Sequence, residues 1–94
     1  MKTDMKTKIL CLIPVFNEVL TIDEVYKALS KNNVDILVID DGSTDGSRKK
    51  IKKYDSAKIF HRHISGKGTC IKEGLRYAIK KKYEFLIILD GDME

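Results

Sequence analysis

Val34-Asp35-Ile36-Leu37-Val38-Ile39-Asp40-Asp41-Gly42-Ser43-Thr44-Asp45-Gly46 is the stretch on which the fold turns. Its first half is an apolar run rich in Val and Ile, too short for a helix, which suits a strand covered on both faces. Its second half changes abruptly to two acids, two glycines and three turn-forming or helix-capping residues. A buried strand that ends in a polar, glycine-bearing loop is the unit from which open parallel α/β sheets are built.

The same unit recurs to either side. Residues 8–14 carry Ile9, Leu10, Cys11, Leu12 and Ile13 and end in Pro14-Val15-Phe16-Asn17-Glu18. Residues 85–89 are equally apolar and run into Asp90-Gly91-Asp92. The run at 58–63 is weaker, because Ile59 and Phe60 are followed by His61, Arg62 and His63. A polar strand belongs at a sheet edge, and Ser65-Gly66-Lys67-Gly68-Thr69 follows it.

Helical patterns fill the intervals. Ile22, Val25, Tyr26 and Leu29 recur at helical spacing. Thr21 and Glu24 have the spacing of a capping box, and Asn32 and Asn33 suit a left-handed helix end. A second helix is expected over 45–54, with little apolar content beyond Ile51 and Tyr54, so it lies on the surface. A third is expected over 69–82, with Ile71, Leu75, Ala78 and Ile79 on one face and Lys80, Lys81 and Lys82 in its last turn, where cations complement the helix dipole. The order β-α-β-α-β-α-β with right-handed crossovers and a polar third strand predicts an open, parallel α/β sheet in the spatial order 3-2-1-4. No repeat, linker or internal boundary divides it, so 1–94 reads as one domain.

In such a sheet all four polar clusters fall on one rim, at the carboxyl ends of the strands, where ligands bind. Asp40, Asp41, Asp90, Asp92 and Glu18 gather there and need protons, basic partners or a cation. Asp90-Gly91-Asp92 places two carboxylates within reach of one hard ion, Mg²⁺ or Mn²⁺, with diphosphate oxygens completing the shell. Strand alternation turns one of Asp40 and Asp41 toward the cleft and the other away. Residues 43–46 read as turn and helix-cap residues. Lys67, in a glycine turn before a helix, is a candidate phosphate contact, although the loop is neither a Walker A motif (Lys67 precedes Gly68) nor a dinucleotide fingerprint (position 71 is Ile). His61 and His63 share a face of the edge strand but lack a third ligand at metal spacing.

Composition narrows the partners. The 94 residues are 43% hydrophobic and 34% charged, with a net charge of +4, which tolerates an anionic ligand without requiring a nucleic acid. The basic tracts at 48–53 and 80–82 lack the aromatic interleaving of a base-stacking surface and read as solvated helix faces. Cys11 and Cys70, each within an apolar stretch, read as buried free thiols of a reducing compartment. The N-terminus has no apolar signal core and no run is long enough to span a bilayer, so a cytoplasmic location is expected.

Ile13-Pro14-Val15-Phe16-Asn17-Glu18, Val38-Ile39-Asp40-Asp41-Gly42-Ser43-Thr44-Asp45-Gly46, Gly66-Lys67-Gly68 and Leu89-Asp90-Gly91-Asp92 together resemble the successive motifs of inverting family 2 glycosyltransferases. The resemblance covers nearly the whole chain after Lys8 and implies the nucleotide-binding half of a GT-A fold, closest to the branch that glycosylates polyprenyl phosphates. It implies that Pro14, Phe16 and Glu18 line the base and ribose pocket and that Asp40 or Asp41, preferentially Asp41, contacts the base. Asp90 and Asp92 would form the metal and diphosphate motif. The donor would be a UDP- or GDP-linked sugar. A lipid phosphate at the cytoplasmic face of a membrane is one acceptor, and the catalytic base would lie after residue 94. On this reading the chain is a truncated donor-binding domain, inactive in transfer by itself. Its sheet, with one helix on one face, would expose an apolar surface that favours self-association. A non-catalytic nucleotide-binding or interaction module shares the same site and is the alternative. A receiver-like signalling domain fits less well, because its acidic pair would belong at the first strand.

Overall fold

The computed structural model describes residues 8–89. Four strands, β1 (Ile9–Val15), β2 (Asp35–Asp41), β3 (Ala57–His61) and β4 (Phe85–Ile88), alternate with three helices, α1 (Ile22–Ser30), α2 (Ser47–Ile51) and α3 (Lys67–Lys80). All strand pairs are parallel and the spatial order is β3-β2-β1-β4, as the sequence predicts. β1 and β2 are central and buried along nearly their whole lengths, while β3 is an edge strand of intermediate burial.

Alternation along the central strands splits the core in two. Leu10 and Leu12 of β1 with Leu37 and Ile39 of β2 face α3, meeting Cys70 and Ala78. Ile13, Val15, Ile36 and Val38 face the opposite side and pack with Ile22 of α1 and Ile51 of α2. By the same alternation Asp41 continues the α3 face and Asp40 the α1/α2 face.

Four local expectations are corrected. The stripe by which α3 meets the sheet is Cys70, Gly74 and Ala78, whereas Leu75 and Ile79 are 49% and 68% exposed. Small residues let the helix lie close: a Cβ on Gly74 would stand 2.3 Å from Leu12 Cδ2. Helix α2 spans five residues, not ten, because Asp45 and Gly46 are taken up by the preceding loop and the chain leaves Ile51 through three-residue turns. The capping box does not form; Thr21 makes no side-chain cap bond, and the amides of Thr21 and Ile22 donate to the Glu18 carbonyl at 3.1 and 2.9 Å. Nor do Asn32 and Asn33 turn left-handed. Among non-glycine residues that role falls to Asn17 (φ 53°) and Lys82 (φ 62°). Lys82 completes a Schellman end on α3, its amide donating to Ile79 and that of Tyr83 to Ala78.

The open side of the sheet is apolar. Phe85, Ile87, Ile88 and Leu89 are 37–61% exposed next to Leu75 and Ile79 of α3, so the expected exposed surface is present. Cys11 and Cys70 are buried and unbridged, as expected. No helix among the described residues is long and apolar enough to cross a membrane.

Candidate functional site

The carboxyl ends of β1 and β2 and the start of α3 enclose a cleft of about 210 Å³. Pro14, Val15, Phe16 and Glu18 form the β1 side, and Ile64, Gly66 and Lys67 form the α3 side. Asp41 and Cys70 also line it. Phe16 is 43% exposed, so its ring is open to a ligand.

Asp41 is the centre of this site. It is 4% exposed, yet four donors converge on its carboxylate. Oδ1 accepts the Ser65 amide at 2.9 Å, the Ser65 hydroxyl at 2.8 Å and His61 Nδ1 at 2.7 Å, and Oδ2 accepts the Gly66 amide at 2.8 Å. Burial by itself would raise the pKa of this group, but the bonds from His61, Ser65 and Gly66 outweigh it and hold the carboxyl down to about 2. Asp41 is therefore an anion at neutral pH. His61 Nε2 meets Glu73 Oε1 at 2.5 Å, so each ring nitrogen faces a carboxylate. The bond to Asp41 chiefly, then that to Glu73, raises its pKa above the usual value despite partial burial. Cys70 Sγ lies with Asp41 and His61 in a group whose ligand atoms are all within 4.8 Å of one another. Burial first, and then the charge of Asp41, push its thiol up to about 11, so it stays protonated.

Asp40 has a different setting. It is fully buried on the α1/α2 face, where Arg48 Nε reaches its Oδ2 at 3.2 Å and its Oδ1 has no partner among the described residues. Arg48 also donates to the His61 carbonyl and lies over the Phe60 ring at 5.3 Å. Asp40 does not line the cleft. Residues 43–47 pin the two loops of the rim together, more than the turn-and-cap role expected of 43–46; the N-cap of α2 is Gly46, with no side-chain cap bond. Ser43 Oγ, Ser47 Oγ and Asp45 Oδ2 accept the amides of Asn17, Glu18 and Val19, and Asn17 Oδ1 accepts that of Thr44 in return. Glu18 is thereby placed at the mouth of the cleft. Asp90 and Asp92 lie outside the described residues. At the end of β4 the Leu89 amide donates to the Leu12 carbonyl of β1 at 2.9 Å.

His61, Ser65, Glu73 and Cys70 are the site residues that sequence reasoning missed. The signal for His61 was available in principle: Asp41 and His61 are paired residues of adjacent parallel strands. It needed the β2–β3 register, which no short motif reveals. Glu73 and Cys70 follow only once α3 is known to present the 70-74-78 face to the sheet.

Three relatives bear on this geometry. An uncharacterised protein of Methanocaldococcus jannaschii is 33% identical over 92 residues, covering 90% of this chain and 40% of the relative. Glycosyltransferase AglJ of Haloferax volcanii is 35% identical over 82 residues, covering 86% and 26%. Undecaprenyl-phosphate mannosyltransferase of Micrococcus luteus is 29% identical over 94 residues, covering 90% and 38%. The chain thus spans less than half the length of these curated relatives. The family model for glycosyl transferase family 2 matches residues 11–94. With that match covering all four motif loops, the chain belongs to glycosyl transferase family 2.

Proposed function

We propose that this chain binds a nucleoside diphosphate sugar as the donor-side domain of a glycosyltransferase. The observation that carries the reading is Asp41: a buried carboxylate, held ionised by four donors, in a cleft between an exposed aromatic ring and a helix start. An anion so placed accepts N–H groups from a nucleobase, and Phe16 and Pro14 supply apolar contact for the base and ribose. Glu18 stands where ribose hydroxyls would be met, and Lys67 on the first turn of α3 is suited to phosphate oxygens. Asp40 is left out of the site, its partner being Arg48.

The divalent cation belongs to the next loop. Asp90 and Asp92, which follow β4 in the sequence, are paired hard oxygen donors of the type Mg²⁺ or Mn²⁺ takes. The cation, when bound, would neutralise charge gathering on the departing nucleoside diphosphate. The acceptor is proposed to be a polyprenyl phosphate at the cytoplasmic face of a membrane, an idea supported by the name of the Micrococcus luteus relative. Each cleft residue is assigned here to the donor, so donor binding is expected without efficient transfer to an acceptor.

Titration calorimetry with UDP and GDP, with and without Mn²⁺, tests the reading. Binding should strengthen with the ion. Asp92→Asn should weaken only the metal-dependent part, and Asp41→Ala should weaken binding in its absence as well. Absence of heat with both nucleotides, from protein shown by circular dichroism to be folded, sinks the proposal.

A further inference from the structure

We infer that the hydrogen bonding already committed on Asp41 makes this site selective for a base with a single imino donor, and so for uridine over guanosine diphosphate sugars. The inference rests on the donor-site reading above and sharpens it.

A carboxylate offers about four lone-pair sites, two on each oxygen. On Asp41 they are unequally spent. Oδ1 already has three donors within 2.9 Å, from Ser65 N, Ser65 Oγ and His61 Nδ1, whereas Oδ2 has only the Gly66 amide. Two of the Oδ1 donors, His61 and the Ser65 amide, are fixed, and two are enough to fill its lone pairs. His61 is fixed from behind by Glu73 of α3 at 2.5 Å, and the Ser65 amide belongs to the turn that starts that helix. The Ser65 hydroxyl belongs to an exposed residue and can turn to water, but His61 and the Ser65 amide still occupy both Oδ1 positions. The Cys70 thiol beside the carboxylate is a weak donor that a base N–H would outcompete. A nucleobase in the cleft therefore meets one vacant acceptor position, on Oδ2.

The bases differ in what they can offer it. Uracil presents one N–H, at N3, between two carbonyls, and one acceptor satisfies it. Guanine presents N1–H and the N2 amino group side by side, a pair matched to a carboxylate with both oxygens open. Here its second donor would be turned toward Oδ1, which has no lone pair left. Cytosine and adenine place an unprotonated ring nitrogen at the corresponding position, and an ionised carboxylate repels it. The cleft volume of about 210 Å³ also lies below the roughly 300–1,000 Å³ of sites that take drug-sized ligands, which favours the smaller ring.

The test is competitive calorimetry on the unmodified chain with Mn²⁺ present, comparing UDP, GDP, CDP and N3-methyl-UDP. A buried donor left unpaired should weaken GDP roughly tenfold or more relative to UDP. N3-methyl-UDP, which keeps the ribose and diphosphate but lacks the imino hydrogen, should fall by a similar factor. GDP binding as tightly as UDP, or N3-methyl-UDP matching UDP, overturns the selectivity while leaving a nucleotide site intact. No binding by any of the four overturns the donor-site reading and the selectivity with it.

Discussion

Asp40 and Asp41 are adjacent acids whose fates part because successive strand residues face opposite sides of a sheet. Asp40 depends on one cation. Removing that partner leaves a charge in the core, so Arg48→Met should destabilise the chain by roughly 3 kcal/mol in urea unfolding. Asp40→Asn added to it should restore much of the loss; a double variant no more stable than Arg48→Met would show that Arg48 acts through Phe60 and the His61 carbonyl instead. Asp41 and His61 set the pH range. The folded carboxyl titrates near 2 instead of its ordinary 3.8, so its contribution, roughly 2 kcal/mol, is present above 3.8 and is lost as pH falls toward 2. His61 is raised above its ordinary 6.5. Its contribution is full below 6.5 and disappears as pH climbs through the folded value. Thermal melts should therefore peak between about pH 4 and 6.5, and His61→Asn should flatten the alkaline limb. An unchanged alkaline limb in that variant would exclude His61 as its source.

At the scale of elements, the strands were far more legible than the helix faces. Continuous apolar runs locate β1, β2 and β4 within two residues, and the polarity of 61–63 is enough to send β3 to the edge. Helix α3 was misjudged because hydrophobic size was read as depth. Ile71, Leu75 and Ile79 look like a core stripe, but Cys70, Gly74 and Ala78 are the residues narrow enough to let the helix lie against Leu10 and Leu12. The rim loops were legible as turns, yet their mutual bonds, and the convergence on Asp41, depend on tertiary register that no local pattern encodes. Gly74→Ala tests the close contact. Leu12 is fully buried and has little room to yield, so overpacking should cost roughly 1–3 kcal/mol in urea unfolding. A neutral or stabilising result would mean that the helix can slide without loss and that closeness is not its constraint.

Over the whole molecule, the two faces of the sheet are unequally finished. Between α1 and α2 the core is closed, whereas α3 leaves β4 and its own Leu75 and Ile79 open to solvent. Strand β4 carries a further asymmetry: among the described residues it pairs with β1 alone, joining Ile9 to Phe85 across almost their whole span. Such a pairing closes the longest loop in the fold and gains only four residues of ladder. The β1-α1-β2 unit, whose first loop is pinned by the residues that follow β2, needs no such closure. Assembly should therefore be staged, with the β1–β2 pair gaining amide protection early and β4 late. Pulsed hydrogen exchange during refolding would reveal the order, and simultaneous protection of β1, β2 and β4 would contradict it. If the stages hold, the cleft wall around Pro14 and Asp41 forms before the strand leading to residues 90–92 is seated. A chain emerging from the ribosome would then shape the proposed donor cleft before the proposed cation loop was anchored.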